Sequence, residues 1–377
     1  MIDIYILCFN REASLRMCLQ SLLNLKGQKL LGNIYLYQDG GVAPFQDIAR
    51  EFSNSIGRKV ELIQASHNLG IKNNIERVFI DSIYRERDVI VIEDDCYCSP
   101  SVLSYCASIS KANIKNNIAQ FSLYNFEYNE LAHCETFLPM ATHIDNNFFL
   151  LKQCSSWGFF MTMDQLQSFQ NAGLFKKRNL SLLPTEIASW PDQSWKKYFI
   201  AFILETNSWV IAPRASLCTT QGIAGKNTSK QLNYSVSQVI HGRSSPKDEL
   251  YFDKNSNLQL LELDYYLEIL NPYILASNDK EESFFHNIEM NIYGLRNSFS
   301  SPYHLSRGDK SNASNSLLIK SVQNWMGDST YKIQRANESK HKLSVKKINN
   351  SQSYFRRLTL FRSFLSLIYL IIKRLKI

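Results

Sequence analysis

Three carboxylates in a row, Glu93-Asp94-Asp95, follow directly on four β-branched apolar residues, Val89-Ile-Val-Ile92. An apolar run without polar alternation reads as a short strand, Asp88–Ile92, buried on both faces of a parallel sheet. Three carboxylates at the end of such a strand repel one another unless something positive sits among them. In open α/β sheets ligands bind outside the carboxyl ends of the strands. A hard divalent cation carrying phosphate oxygens is the natural occupant of such a place. The plainer reading is a solvated acidic turn, although few such turns follow a fully apolar strand.

Other strand ends carry polar groups that would meet these carboxylates. Ile2–Cys8 reads as a strand closed by Phe9-Asn10-Arg11, and Ile34–Tyr37 as one ending in Gln38-Asp39-Gly40. Val60–Ile63 is a third, leading into His67-Asn68-Leu69-Gly70, with Lys72 just beyond. Asp39 could accept from a base amide, while Arg11 and Lys72 could meet phosphates. Each alone is ordinary turn chemistry; four together at one sheet edge are harder to dismiss.

The segments between these strands have helical periodicity: Glu12–Leu25, a stretch near Pro44–Ser55, and Ile71–Arg85. Four strands alternate with three helices, which implies a doubly wound, parallel α/β sheet. Farther on, Ile118–Leu123, Phe148–Leu151 and Trp209–Pro213 read as strands, and Met163–Ala172 and Lys196–Leu204 as helices. Ser155-Ser-Trp157-Gly158-Phe-Phe-Met161 and Trp190-Pro-Asp192-Gln-Ser-Trp195 interrupt this pattern with aromatic, small and acidic residues. Asp192, just before Gln-Ser-Trp, suits a helix N-cap. Trp157 and Trp190 fit core packing or an aromatic stacking floor.

The order of these motifs resembles that of nucleotide-sugar glycosyltransferases with the GT-A fold. The likeness is to family-2-like bacterial polysaccharide transferases and to the N-acetylglucosaminyltransferase I type. It is carried by Cys8-Phe-Asn-Arg11, Tyr37-Gln-Asp-Gly40, Asn68-Leu-Gly70, Val89–Asp95, Ser156-Trp-Gly-Phe159 and Trp190–Trp195, over roughly residues 1–230. The resemblance implies a mostly parallel Rossmann-like sheet flanked by helices, and a donor that is a nucleotide sugar, most readily a UDP-sugar. It implies that Asp39 reads the base, Asp94 contacts ribose or sugar, Glu93 faces the donor sugar, and Asp95 ligates Mn2+ or Mg2+. Asn10, Arg11, Asn68, Gly70, Lys72, Trp157 and Gly158 fall on its donor-binding side, and Asp192 where inverting members keep their base. Such members often place a histidine in a late loop; here Gly225–Ser229 has none, and His241 is poorly spaced to replace it.

At 377 residues, with 45% hydrophobic and 20% charged residues, the chain is globular and long enough for one large α/β domain plus an extension, or for two domains. The expected organisation is a GT-A domain over 1–245, an extension over 246–345, and a basic amphipathic tail over 346–377. The net charge of +8 is uneven. Lys342, Lys346, Lys347, Arg356, Arg357, Arg362, Lys373, Arg374 and Lys376 face no acidic residue after position 340, leaving the body neutral. A neutral body argues against nucleic acid as a partner. The tail's apolar run, Leu367–Ile372, is short of the ~20 residues that span a bilayer. Its basic brackets suit an anionic membrane surface, and docking on the protein's own core is the alternative. The eight cysteines show no zinc spacing. With no leader-like start, the expected setting is cytoplasmic, peripheral on the inner face of the plasma membrane, acting on a glycan or lipid-linked acceptor. Two other functions use similar chemistry: a sugar-phosphate nucleotidyltransferase, and a non-catalytic nucleotide-sugar-binding subunit.

Overall fold

In a computed structural model of the chain, the residues described are 1–112, 117–132, 134–136, 148–176, 178–221, 260–275, 286, 288–291, 295, 303–308 and 330–335. The Gly225–Ser229 loop, His241 and the basic tail lie outside them. The chain opens with β1 (Ile2–Cys8), α1 (Glu12–Leu22), β2 (Leu31–Gln38), α2 (Gln46–Ile56), β3 (Val60–Gln64), α3 (Gly70–Tyr84) and β4 (Asp88–Glu93). Then come β5 (Cys96–Cys98), α4 (Val102–Ile109), β6 (Ile118–Ser122), β7 (Tyr128–Asn129), β8 (Cys134–Glu135) and β9 (Phe148–Leu151). Next are β10 (Phe159–Met161), α5 (Met163–Asn171), α6 (Thr185–Ala188), α7 (Trp195–Glu205), β11 (Trp209–Pro213), β12 (Cys218–Thr220) and β13 (Leu261–Leu263). The last described strands are β14 (Ile288–Asn291), β15 (Tyr303–Gly308) and β16 (Thr330–Arg335).

The chain divides into two units, Met1–Glu127 with Leu138–Leu275, and Tyr128–Phe137 with Ala276–Ile377. In the second, β15 runs parallel to β14 and antiparallel to β16, and β7 pairs antiparallel with β8. The first holds a nine-stranded sheet in the order β13-β9-β11-β6-β10-β4-β1-β2-β3. Strands β3, β2, β1 and β4 are parallel, as the βα alternation requires. Beyond them β10 runs antiparallel to both β4 and β6. The expected mostly parallel sheet flanked by helices is therefore what the chain forms.

Val89–Ile92 of β4 are at most 1% exposed, so each side chain contributes about 1.5–3 kcal/mol by burial. On one face of the sheet, Phe79 of α3, Phe169 of α5 and Phe199 and Phe202 of α7 pack together, with Phe169 centroids 4.8–5.7 Å from the others. Helix α5 starts where Thr162 and Gln165 exchange hydrogen bonds, a capping box that satisfies two otherwise orphaned N–H groups. Cys8, Cys18, Cys96, Cys98, Cys106, Cys154 and Cys218 are buried thiols outside any disulfide, behaving as small apolar residues.

The strand order reverses between β1 and β4, since β2 and β3 build outward on the far side of β1. That reversal opens a crevice at the carboxyl ends of these two strands, where such sheets bind ligands. The turn beyond β2 is equally constrained. A Cβ at Gly40 would lie 2.4 Å from the Ala65 carbonyl oxygen and 2.5 Å from two backbone atoms of His67. Backbone cannot move aside cheaply, so Gly40→Ala is expected to cost about 1–3 kcal/mol. A urea or thermal melt checks it, and an unchanged transition would show that this turn has slack.

Candidate active site

Arg11 leaves β1 and Asp94 and Asp95 leave β4, so the strand reversal places them side by side. The backbone itself continues the β1–β4 ladder, with Asp94 N–H donating to the Leu7 carbonyl at 2.9 Å. Arg11 Nη1 donates to Asp95 Oδ2 at 2.8 Å, and Nη2 donates to Asp94 Oδ1. The side chains of Asp94 and Asp95 are 2% and 11% exposed, and that of Arg11 29%. Burial would lower the Arg11 guanidinium, but Asp95 and Asp94 outweigh it and hold the group firmly charged. Burial pushes the Asp94 carboxyl up to about 6 against the pull of Arg11. Burial, reinforced by Asp95 and Asp94, pushes Glu93 up to about 8. A single arginine therefore does not fully neutralise the three acids.

Two carboxylate oxygens, Asp94 Oδ2 and Asp95 Oδ1, are buried without a hydrogen-bond partner. Orphaned carboxylate oxygens are costly, and they are the hard donors that Mg2+ or Mn2+ prefers. Among the described residues no three Asp, Glu, His or Cys side chains form a ready-made metal cage. The fit is to a cation held by one or two carboxylates, with phosphate oxygens and water filling the remaining positions.

Asp39 lies beyond β2, and its carboxylate ties that turn to the start of α3. Oδ1 accepts from the N–H groups of Gly40 at 2.9 Å and Leu69 at 2.7 Å, and Oδ2 from Gly70 at 3.0 Å. A carboxylate offers about four acceptor positions, so one remains for an incoming N–H. Its negative charge also faces the positive end of α3. Asn68 Oδ1 accepts from Gly70 N–H at 3.1 Å, and Asn10 is exposed at the crevice mouth.

The Trp190–Trp195 segment packs against this same helix start. A Cβ on Gly70 would come within 3.0 Å of Gln193 Oε1, and Lys72 Nζ sits 4.4 Å from the Tyr198 ring centroid. Asp192 is 85% exposed and accepts from Lys197 Nζ at 2.9 Å. That hydrogen bond and the Lys197 charge hold the Asp192 carboxyl below its ordinary value. Ser194, not Asp192, is the N-cap of α7, so the capping alternative does not explain the aspartate.

Trp157 is only 8% exposed and its ring lies 4.8 Å from Tyr124, so most of its surface serves packing. Continuing the antiparallel register from Phe159 opposite Val91 sets Trp157 across from Glu93. Gly158 has φ +109°, and a Cβ there would press within 2.9 Å of Cys218. Only glycine lets β12 approach so closely. Gln221, just past β12, donates its backbone N–H to the Asp95 carbonyl at 2.7 Å and so braces the acidic turn.

Sequence reasoning missed Lys196. It is 9% exposed, with Nζ 5.7 Å from the Trp157 centroid and 5.4 Å from that of Trp190. Its charge also opposes the upward push on Glu93. The signal available was the lysine's place in the first turn of an otherwise apolar helix.

Residues 3–168 match the model described as glycosyl transferase family 2. No curated protein matches the chain. Among solved structures, S. aureus TarS residues 1–349 is 9% identical, with 59% of this chain and 60% of that one covered and a TM-score of 0.38. A mannosyltransferase from Pyrobaculum calidifontis, in complex with GDP-Man and Mn2+, is 6% identical over 56% of each chain, TM-score 0.37. GalNAc-T7 with UDP, GalNAc and Mn2+ is 12% identical, covering 62% of this chain and 47% of that one, TM-score 0.41. In all three the match spans less than two thirds of the other chain. The family match falls on the strands and acidic turn described above, so residues 3–168, under half of the chain, are similar to glycosyl transferase family 2.

Proposed function

We propose that the protein is a metal-dependent, inverting glycosyltransferase that moves a sugar from a nucleotide-sugar donor, with a UDP-sugar favoured, to a glycan or lipid-linked acceptor. The observation that carries it is the pair of partnerless buried oxygens on Asp94 and Asp95, set beside Arg11 at the strand reversal. Asp39, with one acceptor position left, takes an N–H of the base, and Asn10, Asn68, Gly70 and Lys72 border the nucleotide. Asp95 is the direct cation ligand, with Asp94 beside it toward ribose. A bound Mn2+ or Mg2+ supplies charge neutralisation to the departing nucleoside diphosphate. Glu93 and Trp157, facing each other across β4 and β10, form the wall on the sugar side, and Gly158 lets that wall close on β12. Asp192 takes the proton from the acceptor hydroxyl as it attacks the anomeric carbon from the opposite face.

Thermal melts with UDP-, GDP- and CMP-sugars, each with and without Mn2+, test this reading. A matched donor at roughly 100 times its Kd stabilises by about 2.7 kcal/mol, and only with metal. Stabilisation by no donor counts against the proposal. Stabilisation without transfer to any acceptor points instead to a binding subunit.

The acceptor side of the proposal includes the tail. Among the described residues no helix is long and apolar enough to cross a membrane. The nine basic residues after position 340 would bring residues 346–377 to an anionic surface at about 1 kcal/mol each. Deleting residues 350–377 is expected to abolish sedimentation with anionic liposomes while transfer to a soluble acceptor persists. A collapse of the melting temperature would instead assign the tail to the folded core.

A further inference from the structure

The positive charge that the acidic turn requires is already present in the chain, and it is placed where it competes. Arg11 spreads its two terminal nitrogens over two different carboxylates, Nη1 to Asp95 Oδ2 at 2.8 Å and Nη2 to Asp94 Oδ1. Each is a charge-assisted hydrogen bond, and the guanidinium cannot shed its charge. The oxygens it leaves, Asp94 Oδ2 and Asp95 Oδ1, belong to the same two carboxylates. A divalent cation approaches carboxylate oxygens to about 2.1 Å. Bound at Asp95, with Asp94 beside it, it would share a ligand with the guanidinium and repel it across a few ångströms of partly desolvated space. Arg11 also has somewhere to go. Its side chain is 29% exposed, against 2% for Asp94 and 11% for Asp95, so the arginine lies on the open side of the crevice.

We propose that Arg11 is an exchangeable counter-cation: it neutralises Asp94 and Asp95 in the metal-free protein, yields them to a divalent cation, and then pairs with the diphosphate that arrives with it. The proposal rests on the metal-dependent reading above and adds a direction to it. A permanent structural tie would support the acidic pair and so favour metal binding; an exchangeable one opposes the metal and favours the phosphate.

The test is Mn2+ binding to purified full-length protein without donor, read from loss of the free Mn2+ electron paramagnetic resonance signal. Pyrophosphate binding in the presence of Mn2+ is measured alongside by calorimetry. Arg11→Met is expected to bind Mn2+ at least tenfold more tightly than wild type, and pyrophosphate at least tenfold more weakly. Arg11→Lys keeps the charge without the fork, so its Mn2+ affinity should fall between the two. It also serves if Arg11→Met does not fold without metal. Mn2+ affinity unchanged or weaker in Arg11→Lys and in any folded Arg11→Met overturns the exchange while leaving metal dependence standing. No Mn2+ binding by wild type or variants, even at millimolar concentration, overturns both.

Discussion

In Asp95→Ala, Mn2+ no longer supports donor binding and sugar transfer falls roughly 10²–10³-fold, while the protein stays folded. The magnitude follows from losing the several kcal/mol of charge stabilisation that a bound cation supplies, at 1.36 kcal/mol per tenfold in rate, to within about an order of magnitude. The fold is spared for a local reason. Arg11 keeps its contact with Asp94, so removing Asp95 leaves no buried arginine without a partner. The backbone of the turn is held independently, by Asp94 N–H on Leu7 and by Gln221 N–H on the Asp95 carbonyl. Asp95 is the better choice for this test than Asp94, whose side chain is almost wholly enclosed. Calorimetry with a UDP-sugar and Mn2+ measures the first effect and a circular dichroism melt the second. Metal-supported donor affinity equal to wild type in a folded variant would remove Asp95 from the cation's coordination.

The strands were legible in the sequence where they are apolar throughout. Phe148–Leu151 and Trp209–Pro213 form at the expected residues, because unbroken apolar runs are dictated by two-sided burial, and Ile2–Cys8 does so with a single charged residue, Asp3, near its start. Short strands were not. Cys96–Cys98 reads as the tail of an acidic turn before Pro100, and becomes a strand only because Cys218–Thr220 returns to pair with it. Phe159–Met161 reads as the approach to a helix, and its antiparallel course between β4 and β6 is a tertiary fact. Helix α4, Val102–Ile109, was hidden among small residues beginning just after that proline. At the site, the need for a positive charge among Glu93, Asp94 and Asp95 could be read from repulsion alone. The strand ends also brought Arg11 to the same sheet edge, but as a phosphate contact; that it forks over Asp94 and Asp95 themselves depends on side-chain packing between segments more than 80 residues apart. Lys196 could be placed only as the start of a helix, because its burial depends on where Trp157 and Trp190 come to rest.

Asp192→Asn keeps donor affinity and loses most transfer, with kcat falling roughly 10²–10⁴-fold and KM for the donor changing little. The asparagine is close to isosteric and still offers an oxygen to Lys197 Nζ. Lys197 is also held by the Trp190 carbonyl at 2.8 Å, so the loop should keep its place. A base acts on a proton that moves only in the transition state, which is why the loss should appear in kcat. Asp192 in the donor-free protein is poorly tuned for that task, because Lys197 holds it ionised below the ordinary aspartate range. A carboxylate held low is available at every pH from 5 to 8, so its acid limb lies beneath this window and kcat should not fall with acid inside it on its account. Lys197→Met removes the hydrogen bond and the charge together, raising the carboxyl and moving that limb upward in pH. The pair of variants separates two roles for one residue. A base gives a large kcat loss in Asp192→Asn and a displaced acid limb in Lys197→Met. A counter-ion for Lys197 gives transfer within a few-fold of wild type in Asp192→Asn, and places the base elsewhere in the crevice.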